Sequence, residues 1–356
     1  MKKHLINLFK LLIMIGLGVI IYLSGVLIIN SVNDYRPVSF SPEINSPKGI
    51  NSIHEQESYS ILSWNIGYAG LGSNSDFFYD GGKMTRPGKD DFDSYWGSIQ
   101  AQIQSFDSLD FLLMQEVDLA SSRSYRTNQH HRLSGILNTH ASIFGKNYDV
   151  TFVPLPIFSP MAKVISGLSL FSQFAIDNAS CIIFSGNYSW PMVLFMPDRC
   201  FLLCSYTLPS GKKLIMINTH NSAFDDGFLR NQQLDILYEY MQNAYEEGHY
   251  VIAGGDWNMN PEAYTNASFI SGDPAFKLSG LNGVSGPGPE WQVLFDSQYP
   301  TNRDVSTPYR HGQTPATIID YFVCSPNINV LNIMTLYDGF MNSDHHPVYM
   351  RFGLTK

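Results

Sequence analysis

The chain has 356 residues, of which 44% are hydrophobic and 13% are aromatic, and it carries a formal net charge of −9. This composition is sufficient for a large core and excludes an intrinsically disordered chain. Residues 1–30 hold three lysines and no acidic residue, so 19 basic and 31 acidic residues remain, a net charge of −12. Such an acidic body disfavours a polyanionic partner such as duplex DNA, unless basic residues cluster locally.

The N-terminal segment contains an uncharged run, residues 11–29, after three lysines. As a helix, these residues span about 28 Å, close to the hydrocarbon thickness of a bilayer. We predict a signal-anchor over residues 1–30, which makes the protein single-pass in the cell membrane with its remainder on the extracytoplasmic side. A cleaved signal peptide is the alternative, although its apolar run would be shorter and a small-residue cleavage site would follow it.

The next segment, residues 31–56, is rich in Pro, Ser and Asn, which is typical of a flexible tether. After it, neither a repeat nor a second shift in composition occurs, so residues 57–356 are predicted to form one catalytic domain. Its four cysteines lack CxxC spacing, which argues against a zinc site. We expect buried thiols at Cys181, Cys200, Cys204 and Cys324, with a cross-strand disulfide as the alternative in an oxidising compartment.

Short apolar runs alternate with turn signals and helical stretches from residue 58 onward. Buried strands are predicted for SYSILSWNIGYA, LDFLLMQEVD, YVIAGGDWN, TIIDYFVCS and HPVYMRFGL, and a hairpin around PSGKK. Helices are predicted for YWGSIQAQIQSF and for residues 225–249, with Gly248 as the C-cap of the second. The mixture predicts an α/β (α+β) sandwich with the sheets inside and the helices outside.

Polar residues follow the apolar runs at the point where each run ends. A sheet rim of this kind is the usual place for a functional site. Any one of these residues is typical of a turn or a satisfied core polar group, but their recurrence along one chain favours a site. They are Asn65, Glu116, His220, Asp256, Asn258, Asp320, Asp344 and His345.

These motifs resemble the endonuclease/exonuclease/phosphatase superfamily, which includes DNase I-like and neutral sphingomyelinase-like enzymes. The matching pieces are SWNIG, MQEVD, NTHNS, GGDWNMNP, IIDYFVCS and SDHHPV, in the order of the family and across residues 61–348. The resemblance implies a DNase I-like four-layer α/β sandwich, in which two packed mixed β-sheets are flanked by helices. It also implies hydrolysis of a phosphate ester with the help of a divalent metal.

The resemblance also assigns the metal ligands and the groups around the attacking water. It implies that Glu116, assisted by Asn65, binds Mg²⁺ (or Mn²⁺ or another divalent cation), an ion that keeps several of its waters. Asp256 would orient or deprotonate the attacking water, and Asn258 would donate to a phosphate oxygen.

The resemblance implies different roles for the two histidines, His345 and His220. His345 would donate to the phosphate or to its leaving oxygen, and Asp320 would orient the imidazole. Asp344 would lie near the metal, and His220 would be a second phosphate-binding group. His346 occupies a variable position of the motif and is expected to point away from the site.

The substrate class depends on weaker signals. Arg123 and Arg126 follow Glu116 and are candidates for binding an anionic head group, with surface salt bridges as the alternative. Residues 186–197, GNYSWPMVLFMP, suit a membrane interface if exposed, or a buried strand otherwise.

The leading hypothesis is a membrane-anchored phosphodiesterase acting on a phospholipid or sphingolipid head group. A surface DNase I-like endonuclease is the alternative, followed by an inositol-phosphatase-like phosphomonoesterase. A catalytically silent scaffold is opposed by the intact set of polar residues. The sequence does not determine the oligomeric state.

Overall fold

A computed structural model describes residues 2–54, 58–106, 108–223, 227–264 and 283–355. The predicted domain boundary at residue 57 and the predicted helix start at residue 225 lie outside these residues. The helices are α1 Lys2–Val32, α2 Lys89–Gln104, α3 Gln129–Ile136 and α4 Phe228–Glu246. The strands are β1 Tyr59–Asn65, β2 Phe111–Asp118, β3 Ala141–Val153, β4 Ala162–Ser172, β5 Asn178–Ile183, β6 Cys200–Thr207, β7 Lys213–His220, β8 Tyr250–Asp256, β9 Gln292–Leu294, β10 Asn302–Arg303, β11 Ala316–Thr317, β12 Asp320–Cys324, β13 Ile328–Thr335 and β14 Val348–Leu354.

Two six-stranded sheets pack face to face and form the centre of the domain. Their strand orders are β13-β14-β1-β2-β4-β3 and β5-β6-β7-β8-β12-β9. Each contains one parallel pair, β1 with β2 and β7 with β8, among antiparallel neighbours. Helices α2 and α3 cover the outer face of the first sheet, and α4 covers the outer face of the second. This is the predicted four-layer sandwich of mixed sheets.

Side-chain alternation along the central strands divides the core into layers. In β8, Ile252 packs between the sheets, whereas Val251 and Ala253 pack under α4. Because neighbouring strand residues point to opposite faces, Asp256 lies on the same face as Ile252. The same alternation places Asn65 of β1 on the inner face together with Ile61. The ends of the central strands therefore deliver polar groups into the space between the sheets.

The N-terminal helix α1 is long and apolar enough to cross a membrane, with a mean hydropathy of 2.7 over its most apolar window. A signal sequence near the N-terminus can also meet this criterion of length and composition. The chain that follows α1 makes backbone contacts with the domain, because Phe40 pairs with Cys181, Asn45 with Ser142 and Asn51 with Phe174. The described part of the predicted tether is thus attached to the domain through these three backbone pairings, and the Tyr35 hydroxyl also donates to the Lys146 carbonyl.

Several local predictions are confirmed. The PSGKK segment joins β6 and β7 in an antiparallel hairpin. Gly248 follows α4 with φ +87°, a conformation that glycine adopts without strain. All four cysteines are buried free thiols, so the disulfide alternative is not realised in this structure.

The close approach of β7 and β8 requires a glycine at position 255, near the end of β8. Gly255 has φ +148°, and a Cβ at this position would lie 2.0 Å from the Thr219 carbonyl oxygen. We expect Gly255→Ala to lower the free energy of unfolding by about 2 kcal/mol or more, because the clash is with backbone. Urea unfolding in detergent measures this. Gly97→Ala is the control: its Cβ would meet open space in α2, so it should stabilise by about 0.5–1 kcal/mol. An unchanged midpoint for Gly255→Ala would contradict the prediction.

Candidate active site

Asp256, the last residue of β8, lies at the centre of the candidate site and is 1% exposed. Its Oδ2 accepts a hydrogen bond from Asn65 Nδ2 at 2.9 Å, and it lies 3.2 Å from His220 Nε2 and 3.7 Å from His345 Nε2. Its Oδ1 accepts from the backbone N–H of Asn258 at 2.9 Å. One carboxylate therefore brings together residues from both sheets.

His345 forms a buried hydrogen-bonded pair with Asp320. Its Nδ1 lies 2.8 Å from Asp320 Oδ2, which orients the ring so that Nε2 faces Asp256. Burial opposes a charge on this imidazole, but Asp320, Asp344 and Asp256 together outweigh it and raise the pKa of His345 to about 10. His345 is therefore an imidazolium at neutral pH and can donate a proton from Nε2.

The segment that carries His345 is fixed to the end of β1. Ser343 Oγ donates to the Asn65 carbonyl at 2.9 Å, and the Trp64 indole N–H donates to the His345 carbonyl at 3.0 Å. The Asn302 amide lies 3.0 Å from His345 Nε2. The atom placed there is the amide nitrogen Nδ2, so a cationic His345 requires the opposite orientation of this amide, with Oδ1 facing Nε2.

His220, at the end of β7, is neutral, in contrast to the cationic His345. Burial, with the nearby cations Arg199 and His345, holds the pKa of His220 well below its usual range. The neutral ring can donate its Nε2–H to Asp256. Asp256 is consequently flanked by one neutral and one cationic imidazole.

Glu116 reaches the cleft through an irregularity in β2. In regular alternation it would share the face of Met114, which packs in the outer layer under α2. The pairing of β2 with β4 shifts register between Met114 and Val117, and Glu116 has φ +54°. A bulge of this kind turns a side chain out of its regular direction. It brings the Glu116 carboxylate beside Asn65, 3.5 Å from Nδ2.

The donor set at Glu116 fits a divalent cation. Among the described residues, no donor approaches its carboxylate more closely than Asn65 at 3.5 Å and Arg123 at 3.8 Å. Burial raises the pKa of Glu116, and Asp344 adds to this against the opposing effect of Arg123. Burial likewise raises the pKa of Asp344. The Glu116 carboxylate, whose side chain is 26% exposed at the cleft, and the buried Asp344 carboxylate near it are suited to a hard cation with oxygen ligands.

Two other arrangements bear on metal binding. Asp256, Asp320 and His345 also offer ligand atoms within 4.8 Å of one another. In this structure, however, the His345 Nδ1 is engaged by Asp320, and an imidazolium has no free lone pair for a metal. Asn65 uses its Oδ1 to accept from the Gly67 N–H at 3.0 Å, so its amide nitrogen faces the carboxylates. Glu116 is therefore the residue with the best geometry for a cation ligand.

Asn258 and Asp344 lie at the rim of the same space. Asn258 has φ +50°, a left-handed conformation that Asn adopts more readily than most residues, and its Nδ2 donates to the Asn221 carbonyl at 2.9 Å. Asp344 lies beside His345, with Oδ2 3.9 Å from Nε2. Both residues line the cleft.

The two arginines predicted to bind substrate, Arg123 and Arg126, differ in burial and in their contacts. Arg123 is 5% exposed, pairs bidentately with Asp118, and stacks 3.8 Å from the centre of the Tyr68 ring. It lines the cleft beside Glu116, but its guanidinium is largely occupied by the contacts with Asp118 and Tyr68. Arg126 is exposed and lines an adjacent groove with Arg86, a groove that Arg123 also borders.

The cleft itself has a volume of about 310 Å³ and contains residues that the sequence did not indicate. Arg199, which precedes β6, lines it, and none of the described acidic residues lies within ion-pair distance of its guanidinium. Asn302 approaches His345 from β10. Neither residue lies in a recognisable motif, because only the packing of the loops brings them to the cleft.

His346 points away from the cleft, as expected, but it has a structural part. Its Nδ1 donates to the Pro300 carbonyl at 2.7 Å, its Nε2 accepts from the Phe340 N–H at 3.1 Å, and its ring stacks on Phe340. The residue is fully buried. Both ring nitrogens are therefore used in holding the loop before β14.

The chain belongs to the endonuclease/exonuclease/phosphatase family, because the model of that family matches residues 62–345. The family consists of phosphoesterases and nucleases, which places the chain among hydrolases of phosphate esters. No curated protein matches the chain significantly.

Solved structures share the fold at low identity. An endonuclease/exonuclease/phosphatase from Beutenbergia cavernae DSM 12333 is 17% identical, with a TM-score of 0.55 over 84% of this chain and 72% of that one. ANGEL2, a 2′,3′-cyclic phosphatase, in complex with adenosine-2′,3′-vanadate, is 15% identical, with a TM-score of 0.55 over 89% and 99%. The human Nocturnin catalytic domain is 16% identical, with a TM-score of 0.53 over 88% and 97%. Such similarity establishes the fold alone.

The two adjacent histidines are expected to respond differently to substitution. His345→Ala should lower turnover of bis(para-nitrophenyl) phosphate at least about a hundredfold, since it removes the proton donor. His346→Ala should instead lower the free energy of unfolding by about 2–4 kcal/mol, with near-normal turnover per folded molecule. Thermal unfolding and steady-state kinetics on both variants measure this. Equal losses of turnover per folded molecule would show that the roles are assigned wrongly.

The charge of His345 predicts a pH dependence of stability. Its folded pKa lies above the unfolded value of 6.5, so its contribution is complete below about pH 6.5 and is lost as the pH rises toward 10. His345→Gln should therefore reduce the loss of unfolding free energy between pH 6.5 and 10. The test is urea unfolding across this window, with His131→Gln, an exposed position in α3, as the control. A slope identical to the wild type in His345→Gln would contradict an imidazolium at this site.

Proposed function

We propose that the protein is a metal-dependent phosphodiesterase that α1 anchors in the cell membrane, with its domain on the extracytoplasmic side. Its proposed substrate is the head-group ester of a phospholipid or sphingolipid. The observation that carries the reaction class is the pairing of the Asp256 carboxylate with the His345 imidazolium in one cleft. Hydrolysis of a phosphodiester requires both a group that receives a proton from water and a group that donates one to the leaving oxygen.

The residues of the cleft supply these roles. Asp256 is held by Asn65 and Asn258, so it can orient the attacking water and accept its proton. His345, oriented by Asp320, donates to the phosphoryl group or to the leaving oxygen. A Mg²⁺ or Mn²⁺ ion bound at Glu116, with Asp344 nearby, supplies positive charge that polarises the phosphate when it is present.

Further donors favour binding of the phosphate. Asn258 lines the cleft with its amide, next to the neutral His220, whose single N–H faces Asp256. Arg199 adds a guanidinium that the described acidic residues leave unpaired. Guanidinium groups are well suited to phosphate oxygens because their N–H donors match the spacing of those oxygens.

The lipid assignment is supported by the position of the anchor. Asn30, near the end of α1, exchanges hydrogen bonds with the backbone of Phe152 on β3, at 2.9 Å and 3.1 Å. Asn147 and Tyr148 of the same strand line the cleft. The anchor is thus attached to the strand that forms one wall of the cleft, and the acidic body disfavours duplex DNA.

The test is turnover by the full chain in vesicles of phosphatidylcholine, phosphatidylglycerol and sphingomyelin. With Mg²⁺ we expect release of head group from at least one lipid, its loss on chelation, and a decrease of at least about a hundredfold in Glu116→Gln. Plasmid DNA is assayed in parallel. Nicking of the plasmid without lipid turnover would contradict the proposal and would support a surface endonuclease.

A further inference from the structure

Large apolar side chains are exposed at one end of the domain. In the connection between β3 and β4, Leu155 is 48% exposed, Ile157 is 69% exposed and Phe158 is fully exposed. In the connection before β6, Trp190 is 66% exposed and Met192 is 50% exposed. We call these five residues the apolar rim. A soluble surface does not gain from several large apolar groups, so the rim indicates a partner.

The two segments of the apolar rim are both adjacent to one hydrophobic cluster. Val153 and Met161, which flank the β3–β4 connection, belong to the same hydrophobic cluster as Phe195, which follows the other segment. Tyr148 donates its hydroxyl hydrogen to the Phe195 carbonyl at 2.7 Å. The β3–β4 connection is closed by a hydrogen bond from the Met161 N–H to the Leu155 carbonyl at 2.9 Å. Packing and hydrogen bonds therefore fix the conformation of both segments of the rim.

The course of the chain after α1 places the rim beside the membrane. Asn30 bonds to Phe152, and further along the chain Tyr35 bonds to the Lys146 carbonyl, so this segment runs antiparallel to β3. The helix before Asn30 therefore continues beyond the end of β3, on the side where the β3–β4 connection projects. The same helix contacts the short 3₁₀ helix that begins at Met192. Both segments of the rim thus lie where α1 leaves the domain.

The rim also borders the cleft. Met161, the last residue of the β3–β4 connection, lines the cleft, and so does Met196, a short distance after Met192. A surface bound at the rim would therefore lie next to the opening that leads to the catalytic residues. This arrangement would present lipid head groups to the cleft without requiring a lipid to leave the bilayer.

Basic side chains lie next to the rim although the body is acidic. Arg86 and Arg126 line a groove whose other wall includes residues 159–162, and Lys163 is exposed directly after it. Arg86 is held over the Tyr125 ring at 4.5 Å. Basic groups beside an apolar surface are attracted to anionic lipid head groups within a Debye length.

We propose that the apolar rim inserts into the interface of the membrane that α1 crosses and seats the cleft on the lipid surface. This inference rests on the proposed function and names the surface through which the enzyme meets its substrate. Trp190 and Phe158 have the amphipathic or aromatic character that is enriched at membrane interfaces.

Trp190 provides a direct test, because the other four tryptophans, Trp64, Trp96, Trp257 and Trp291, are at most 5% exposed. The full chain is placed in proteoliposomes that contain brominated phospholipid, and tryptophan fluorescence is recorded with Trp190→Phe as the reference. We expect the fluorescence that Trp190 contributes to be quenched by the lipid and protected from aqueous acrylamide. Quenching by acrylamide alone would overturn the proposal, and so would shielding from both quenchers, which would indicate a protein partner.

A second measurement separates docking from chemistry. Ile157→Asp and Phe158→Asp should lower lipid turnover in vesicles about tenfold, since burial of one such side chain changes binding on that order. Turnover of bis(para-nitrophenyl) phosphate should be unchanged. Leu331→Asp is the matched control, because Leu331 is 50% exposed on β13, at the opposite edge of the same sheet.

The outcomes distinguish failure of the inference from failure of the proposed function. Lipid quenching of Trp190 without any lipid turnover would leave the docking surface standing and overturn the substrate. Lipid turnover that is unaffected by Ile157→Asp and Phe158→Asp would overturn the docking surface and leave the substrate standing. Equal losses in Leu331→Asp would also overturn it, because the effect would not be specific to the rim.

Discussion

Asp256 joins the two sheets through one carboxylate oxygen, which accepts a hydrogen bond from Asn65 of the first sheet and faces His220 of the second. The neighbouring strand β12 pairs Asp320 with Asp256 in register, and Asp320 in turn holds His345. A shift in how the sheets pack would therefore change several distances in the candidate site at once. Close packing of the apolar layers between the sheets keeps these distances fixed.

The charge distribution of the site follows from this geometry. His345 lies among three carboxylates and is cationic, whereas His220 lies near the cations Arg199 and His345 and is neutral. Two residues of one type thus acquire different chemical capacities from their surroundings. Glu116 keeps a carboxylate without a short partner among the described residues, which leaves a place for a cation in an otherwise hydrogen-bonded cleft.

Helix α1 and the cleft are connected through one strand. The hydrogen bonds between Asn30 and Phe152 fix the end of α1 to β3, a strand that also forms a wall of the cleft. Membrane attachment through a flexible tether alone would leave the orientation of the domain free. In the proposed membrane-anchored arrangement, attachment at β3, with Phe158 and Trp190 exposed nearby, restricts how the cleft can face the bilayer.

The sequence by itself determined the family and the layered fold, and it indicated most of the candidate site, because Asn65 and Asp256 end regular strands whose alternation places them between the sheets. Only the tertiary structure decided the direction of Glu116, since strict alternation would turn it outward and a register shift with φ +54° turns it into the cleft. It likewise decided that Arg199 lines the cleft and that Trp190 is exposed. The physical reason is that strand periodicity is local, whereas bulges and loop positions depend on contacts between residues that are distant in the chain.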